Sequence, residues 1–352
     1  MQQRASGEGR LLGAYDGTNV IATARIHAFR QWWGGRALRL AGIGGVVVAP
    51  EYRGRGVGKQ LMAAVLDRSR EHGYPLSALY PATAPIYRAL GWELAGRQHF
   101  VTVAAESLRK LTAGTSAVSV RRAGPGDAAD VIATMARLHE RYRDCGPIEW
   151  EPTEVAEELA EDGYYAYLAD DGFVGYQWDG SDRMYVARLV AGSEATLRTL
   201  WALVGSGSSV ARTVRACVPP DDPLVFLTHD LGVQAERDVW WMLRVIDAES
   251  ALSGRGYPPS VDVEVPLTIS DRDVVGNSGE WVLQVADGRG QLRRGAGNAD
   301  HLRVEANGLA SLFAGVGMTT LRRAGLVSGG SDDDDAAIDA ALSGRAFMLD
   351  YF

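Results

Sequence analysis

The stretch Arg53-Gly54-Arg55-Gly56-Val57-Gly58-Lys59 puts three glycines, two arginines and a lysine into one corner. It follows the apolar run Val46-Val47-Val48 and an Ala49-Pro50 break, and it leads into the helical pattern GKQLMAAVLDRSREHGYP. Glycine lets backbone come close to a ligand, and the amides that open a helix have no partner within it. With cationic side chains in the same turn, such amides suit a phosphate or pyrophosphate. Two familiar phosphate loops do not fit. A Walker A loop needs glycine where Arg53 stands and Ser or Thr where Gln60 stands, and a dinucleotide fingerprint begun at Gly54 needs glycine at Lys59. What remains is Arg-x-x-Gly-x-Gly between a strand and a helix. From the residues alone, a tight surface turn with solvated arginines is the alternative.

The elements that must position this corner recur along the chain. LLGAYDGTNVIATARIHAF predicts two strands joined around Asp16-Gly17. ALRLAGIGGVVVAP predicts a strand whose internal glycines signal a bulge or a close backbone approach. In the helix after the corner, Leu61, Met62, Val65 and Leu66 share one face, and Gly73 with Pro75 ends it. LSALYP is a short strand, APIYRALGWELAG a short helix turning at Gly91 into a strand, and HFVTVAA closes the module. From Ala117 the order echoes: VSVRRAGPGDAADVIATMARLHERY gives a strand and a helix with Asp127 at its N-cap. A hairpin around Asp170-Asp171-Gly172, a strand RMYVARLVAG, a helix Glu194–Val204 and a strand before Pro219-Pro220-Asp221 follow. A third module from about Ile246 predicts an antiparallel sheet (VDVEVPLTISD, GEWVLQVADG, HLRVEANG) and two helices. The second of these carries four aspartates, 332 to 335, in a first turn capped by Ser331.

Composition sets the class. At 352 residues, 46% hydrophobic and 23% charged, the chain has material for two or three domains. A net charge of -8 argues against nucleic acid or an anionic membrane as main partner and favours cationic small molecules or basic peptides. Cys145 and Cys217 show neither disulfide nor metal spacing, the six histidines form no His-x-x-x-His pair, and no metal is expected. MQQRASGEGR lacks the apolar core of a secretion signal and no run has membrane-spanning length, so the expectation is a cytoplasmic protein without membrane insertion.

The corner in this setting resembles the acetyl-CoA loop of the GNAT N-acetyltransferases. That resemblance implies backbone pairing of Val46, Val47 and Val48 with a pantetheine arm, and a grip on the diphosphate by Arg53, Gly54, Arg55, Gly56, Val57, Gly58 and Lys59. It implies a further contact from Ala82 and Thr83, and it maps Tyr87 of IYRALGW beside the thioester sulfur. Two GNAT-like modules, only the first with the loop intact, followed by a sterol-carrier-like module and the aromatic end RAFMLDYF, resemble the Eis (enhanced intracellular survival) family over essentially the whole chain. The middle segments YVARLVAG and RACVPPDDPL support it.

The implied fold is α/β (α+β): tandem GNAT-like modules with mixed central sheets over 1–112 and 113–245, then a sterol-carrier-like α+β domain over 246–352. A GNAT module ordinarily opens with a strand and two helices; only Met1–Arg10 precede the first hairpin, so either the start is assigned too far downstream or those elements are missing. The implied chemistry is direct acetyl transfer from acetyl-CoA to an amine of a cationic acceptor such as an aminoglycoside, or to a lysine side chain. Tyr87 would be the general acid, the α-carboxylate of Phe352 the general base, and the Val48 amide the oxyanion donor. The family implies a homohexamer. Trp32 and Trp33, read as an exposed pair, line either the substrate mouth or a subunit contact. A non-catalytic lipid carrier or scaffold is the competing reading, on fold analogy alone.

Overall fold

In the computed structural model, which describes residues 9–112, 118–228, 232–295 and 301–352, one sheet runs through both GNAT-like halves. The first half supplies β1 (Leu11–Asp16), β2 (Asn19–Trp33), β3 (Arg36–Val48), β4 (Leu76–Leu79) and β5 (Glu93–Ala104). The second supplies β6 (Val120–Arg122), β7 (Cys145–Glu149), β8 (Tyr164–Ala169), β9 (Gly172–Trp178), β10 (Arg183–Ala191), β11 (Thr213–Val218) and β12 (Gln234–Val245). Their order is β1-β2-β3-β4-β12-β5-β11-β10-β9-β8-β6, with β7 paired to β2. β12, from the second half, therefore lies between β4 and β5 of the first, while β5 runs antiparallel to β11. Each half donates its last strand to cover an edge of the other.

Local signals place most elements. Asp16 pairs with Asn19 across a turn that holds Gly17 at φ +59°. The helix Val57–Glu71 buries Leu61, Met62, Val65 and Leu66 against the sheet, each contributing about 1.5–3 kcal/mol relative to exposure. Asp127 does stand at the N-cap of Ala128–Tyr142, but its carboxylate turns back to accept the Gly124 N–H (2.8 Å) and to pair with Arg121. β7 and the helix Pro152–Leu159 have no clear sequence signal; β7 exists because it pairs with β2 from the other half. Among the described residues, no helix is long and apolar enough to cross a membrane.

The third module forms a separate sheet of β13 (Val263–Ser270), β14 (Gly279–Ala286), β15 (Arg289–Arg294), β16 (Leu302–Glu305) and β17 (Val327–Ser328), in the order β15-β14-β13-β16-β17. It is mixed rather than antiparallel, because β16 returns parallel to β13. The helix Ala306–Phe313 is buried along almost its whole length, wedged against both β12 and β13. Ser331 caps the last helix as predicted, accepting the Asp334 N–H, and Asp335 pairs with Arg322.

This wedge corrects the expectation of an exposed tryptophan pair. Trp33 is fully buried, edge-on to Phe313 at 4.8 Å and beside Trp241, with its indole N–H on Gln31 Oε1 (3.0 Å). Trp32 is 8% exposed and packs near His139 of the second half. Successive strand residues face opposite ways, and here both faces of β2 are covered.

Arg244 on β12 locks the third module to the first. Its buried guanidinium donates to the Leu90 carbonyl (2.9 Å) and pairs with the equally buried Asp271 (2.7 Å). Gly91, at φ +86°, leaves the space; a Cβ there would lie 2.7 Å from Arg244 Nε. Removing one partner of such a pair strands the other charge. Arg244→Met should therefore cost about 3–5 kcal/mol, read as a lowered midpoint in urea denaturation.

Candidate active site

β3 and β4 pair in parallel only from Leu40/Leu76 to Ile43/Leu79. Beyond that point β3 continues to Val48 along β2, while the other chain leaves through Tyr80, Pro81, Ala82 and Thr83. The pairing of β3 with β2 slips at Gly45, which sits at φ +59° opposite the step from Thr23 to Arg25. The predicted bulge is there, just past the point where β3 and β4 part and leave a gap in the sheet.

On one side of the gap lies the corner. Gly54 and Gly56 adopt φ +73° and +81°, and a Cβ on either would meet nothing within 4 Å. Gly56 is the N-cap of Val57–Glu71; no side chain caps that helix and no acid stands in its first turn. Arg53, Arg55 and Lys59 are exposed. Arg53 Nε donates to the Val48 carbonyl (3.2 Å), and the Arg55 guanidinium lies over the Tyr52 ring, whose hydroxyl is held by Asp16 (2.7 Å). Open amides, left-handed glycines and three cations form a cradle that an anionic diphosphate fits. Val46 and Val48 are half-buried and Val47 is exposed, leading into this corner, and Ala82 and Thr83 are exposed beyond β4.

The helix Pro85–Arg88 packs against the corner: Ile86 sits so close to Gly58 that a Cβ there would lie 2.9 Å from it. Tyr87 follows, 6% exposed, with Trp92 and Leu90 in the same apolar cluster. Burial pushes its phenol above the ordinary value, so the hydroxyl keeps its proton.

From the other side the C-terminal segment enters the gap. Phe347 N–H bonds to the Cys145 carbonyl (3.0 Å) and Met348 N–H to the Arg97 carbonyl (3.3 Å), so the tail is stitched between β7 and β5. Two glycines make the passage: a Cβ on Gly146 would lie 2.0 Å from the Phe347 oxygen, and one on Gly96 2.3 Å from that of Ala346. Gln98 donates to the Leu349 carbonyl (3.2 Å), Arg188 pairs with Asp350 (2.5 Å) and with Glu158, and Tyr80 donates to the Asp350 carbonyl (2.6 Å). The Tyr351 ring stacks on Tyr80 at 4.4 Å. Phe352 ends among Phe29 (5.1 Å), Tyr80 (5.5 Å) and His27 (6.5 Å), counted between ring centres.

Its carboxyl carbon lies at the start of the gap. A Cβ on Gly44 would be 3.7 Å from that carbon and 3.2 Å from His27 Nε2. Burial, with Arg25 and Arg10 nearby, pushes the His27 imidazole down to about 4, so it is neutral at physiological pH. His27, Tyr80 and Gly44 escape a motif search: each is one residue on a strand, joined to the site only by folding. The glycine spacing in AGIGGVVV was their single trace. Beside the tail opens a cavity of about 650 Å³ bounded by Trp150, Glu158, Tyr185, Arg188, Asp350 and Tyr351, and lined also by Arg215 and Arg237.

Comparison with known proteins agrees with this geometry. Models of acetyltransferase (GNAT) domains match residues 2–95 and 146–245, and a sterol carrier protein domain model matches 248–349. The crystal structure of a GCN5-related N-acetyltransferase from Kribbella flavida is 48% identical, covers 99% of this chain and 88% of its own, and superposes with a TM-score of 0.95. Eis1 from Mycobacterium abscessus is 25% identical over 98% of this chain and 90% of its own, with a TM-score of 0.77. N-acetyltransferase Eis of Mycobacterium tuberculosis is 28% identical over 327 residues, 86% of this chain and 78% of its own. With an uncapped Gly/Arg corner on one side of a split sheet and its own end in the other, the chain belongs to the GCN5-related N-acetyltransferases, in the Eis type of tandem GNAT halves joined to a sterol-carrier-like domain.

Proposed function

We propose that the chain transfers acetyl from acetyl-CoA directly to an amine, with Tyr87 as proton donor and the terminal carboxylate of Phe352 as proton acceptor. One observation carries this reading: the last residue of the chain ends in the gap between β3 and β4, with the open corner and the Tyr87 helix packed together beside it. Val46, Val47, Val48, the seven residues Arg53 to Lys59, Ala82 and Thr83 would hold the co-substrate. When bound, acetyl-CoA supplies an activated acyl group and a thiolate leaving group.

The protein's own groups then have distinct tasks. An amine must shed a proton before it attacks, and the Phe352 carboxylate takes it. A terminal carboxylate is by nature a weak base, with a reference value of about 3.3–3.7. The Phe352 ring, packed among Phe29, Tyr80 and His27, sets where that carboxylate stands, and it takes the proton directly or through a water relay. His27 Nε2 borders the same space, and the Tyr87 phenol returns a proton to the departing sulfur. The Val48 amide, on the strand edge that lost its partner, is the oxyanion donor.

For the acceptor, the net charge of -8 and the Glu158 and Asp350 carboxylates in the adjoining cavity support a cationic amine such as an aminoglycoside, or a lysine side chain. One observation favours a second reading, an amine that also bears an anionic group. Arg237 lines that cavity over the Phe100 ring and makes no ion pair among the described residues. Thiol release from acetyl-CoA in the presence of neomycin, a lysine-rich peptide or an amino sugar phosphate separates the three. No release with any amine would sink the transferase reading.

Three outcomes follow from the roles assigned. Tyr87→Phe should lower kcat by about 10²-fold while calorimetry still detects acetyl-CoA. One extra residue after Phe352 moves the carboxylate by about 3.3 Å and should cut turnover comparably with little change in Tm. If both variants turn over normally, the proton assignments are wrong. Third, His27 protonates near 6.5 when unfolded but only near 4 when folded. Its stabilising effect is therefore complete above about 6.5 and lost as pH falls toward 4, and His27→Gln should flatten Tm against pH across that window.

A further inference from the structure

The second half repeats the gap of the first. β10 and β11 pair in parallel from Arg183/Thr213 to Val186/Ala216 and then part, as β3 and β4 do, and the helix Glu194–Gly205 follows β10 as Val57–Glu71 follows β3. On one side the gap is occupied by the tail, with Leu349 packed on Cys217 and Phe100. On the other side, where the first half has its corner, a cavity of about 480 Å³ remains.

That cavity has lost the features that suit an anion. Ser193 caps the helix by accepting the Thr196 N–H (3.3 Å), and Glu194 stands in the first turn. Its walls are mostly apolar, with Leu138, Leu189, Ala191, Leu197 and Leu227 among them, and among the described residues no lysine or arginine lines it. The charged groups along it are acids. Asp144 is paired with His139 and Glu194 with Arg198. Asp222 is different: it is 8% exposed, one of its oxygens accepts the Leu224 N–H (2.8 Å), and the other has no partner among the described residues.

We propose that this second cleft binds a small apolar amine, its ammonium on Asp222 and its apolar body against Leu189, Leu197 and Leu227. This buried carboxylate makes no ion pair among the described residues, and an ammonium supplies both a contact charge and a hydrogen bond to its free oxygen. Burial raises Asp222 to about 6, with His99 opposing, while its neighbour Asp221 is engaged by Arg345. Affinity should therefore rise from about pH 5 to about pH 7 as the carboxyl ionises. This is a site separate from the acetyl-transfer gap.

Isothermal titration of the full chain with phenethylamine, phenethyl alcohol and hydrocinnamate tests the proposal. The amine should bind, the alcohol more weakly, and the carboxylate not at all. Asp222→Asn keeps the size and the bond to Leu224, and Ala191→Trp fills the mouth. Each should weaken the amine by about tenfold or more, with thiol release from acetyl-CoA unchanged. Equal affinity in both variants overturns the proposal. So does loss of binding on extending the chain past Phe352, because the probe would then occupy the first gap. An inactive protein that still binds phenethylamine with this variant pattern leaves the second site standing and removes the transferase reading instead.

Discussion

The C-terminal segment Ala346–Phe352 is the constraint on which the architecture turns. It touches β5 through Arg97 and Gln98, β7 through Cys145 and Gly146, β11 through Cys217, and the end of β4 through Tyr80. Those contacts come from both halves, and the segment itself belongs to the third module. A chain end normally frays because nothing compensates the entropy lost on ordering it. Here backbone pairing, the buried Arg188–Asp350 pair and four packed rings offset that loss, and the outcome is a carboxyl group held at a set place in the sheet.

The strand exchange gives the tail something rigid to enter. β4 would be a bare edge without β12, and β11 without β5, and bare edges invite wrong pairing. Because each half closes the other, neither can tilt without breaking a ladder of hydrogen bonds. Arg244 extends the same logic to the third module, gripping the Leu90 carbonyl just after the Tyr87 helix. The Tyr87 phenol and the Phe352 carboxyl group are thus referred to one frame, although 264 residues of chain lie between them.

The two halves also show how one geometry acquires opposite chemistry. In the first, an uncapped helix start with left-handed glycines and cations leaves backbone donors for an anion. In the second, a serine caps the helix start, an acid follows it, and the charged groups of the described lining are acids. A few side chains at one helix terminus thus reverse the charge that lines the two gaps.

What the sequence by itself determined is local in origin. The hairpin at Asp16-Gly17, the helix Val57–Glu71 with its buried face, the Gly/Arg corner and the Ser331 cap all depend on neighbours within a few residues, so periodicity and turn chemistry carry them. What only the tertiary structure decided depends on pairing between distant segments. β7 has no strand pattern of its own, β16 became parallel to β13, and the tryptophans at 32 and 33 were covered on both sides. His27, Tyr80 and Gly44 likewise entered the site through register. The physical reason is that hydrogen bonds between strands and burial of their faces are contributed by whichever segment arrives, and no window of sequence contains its own partner.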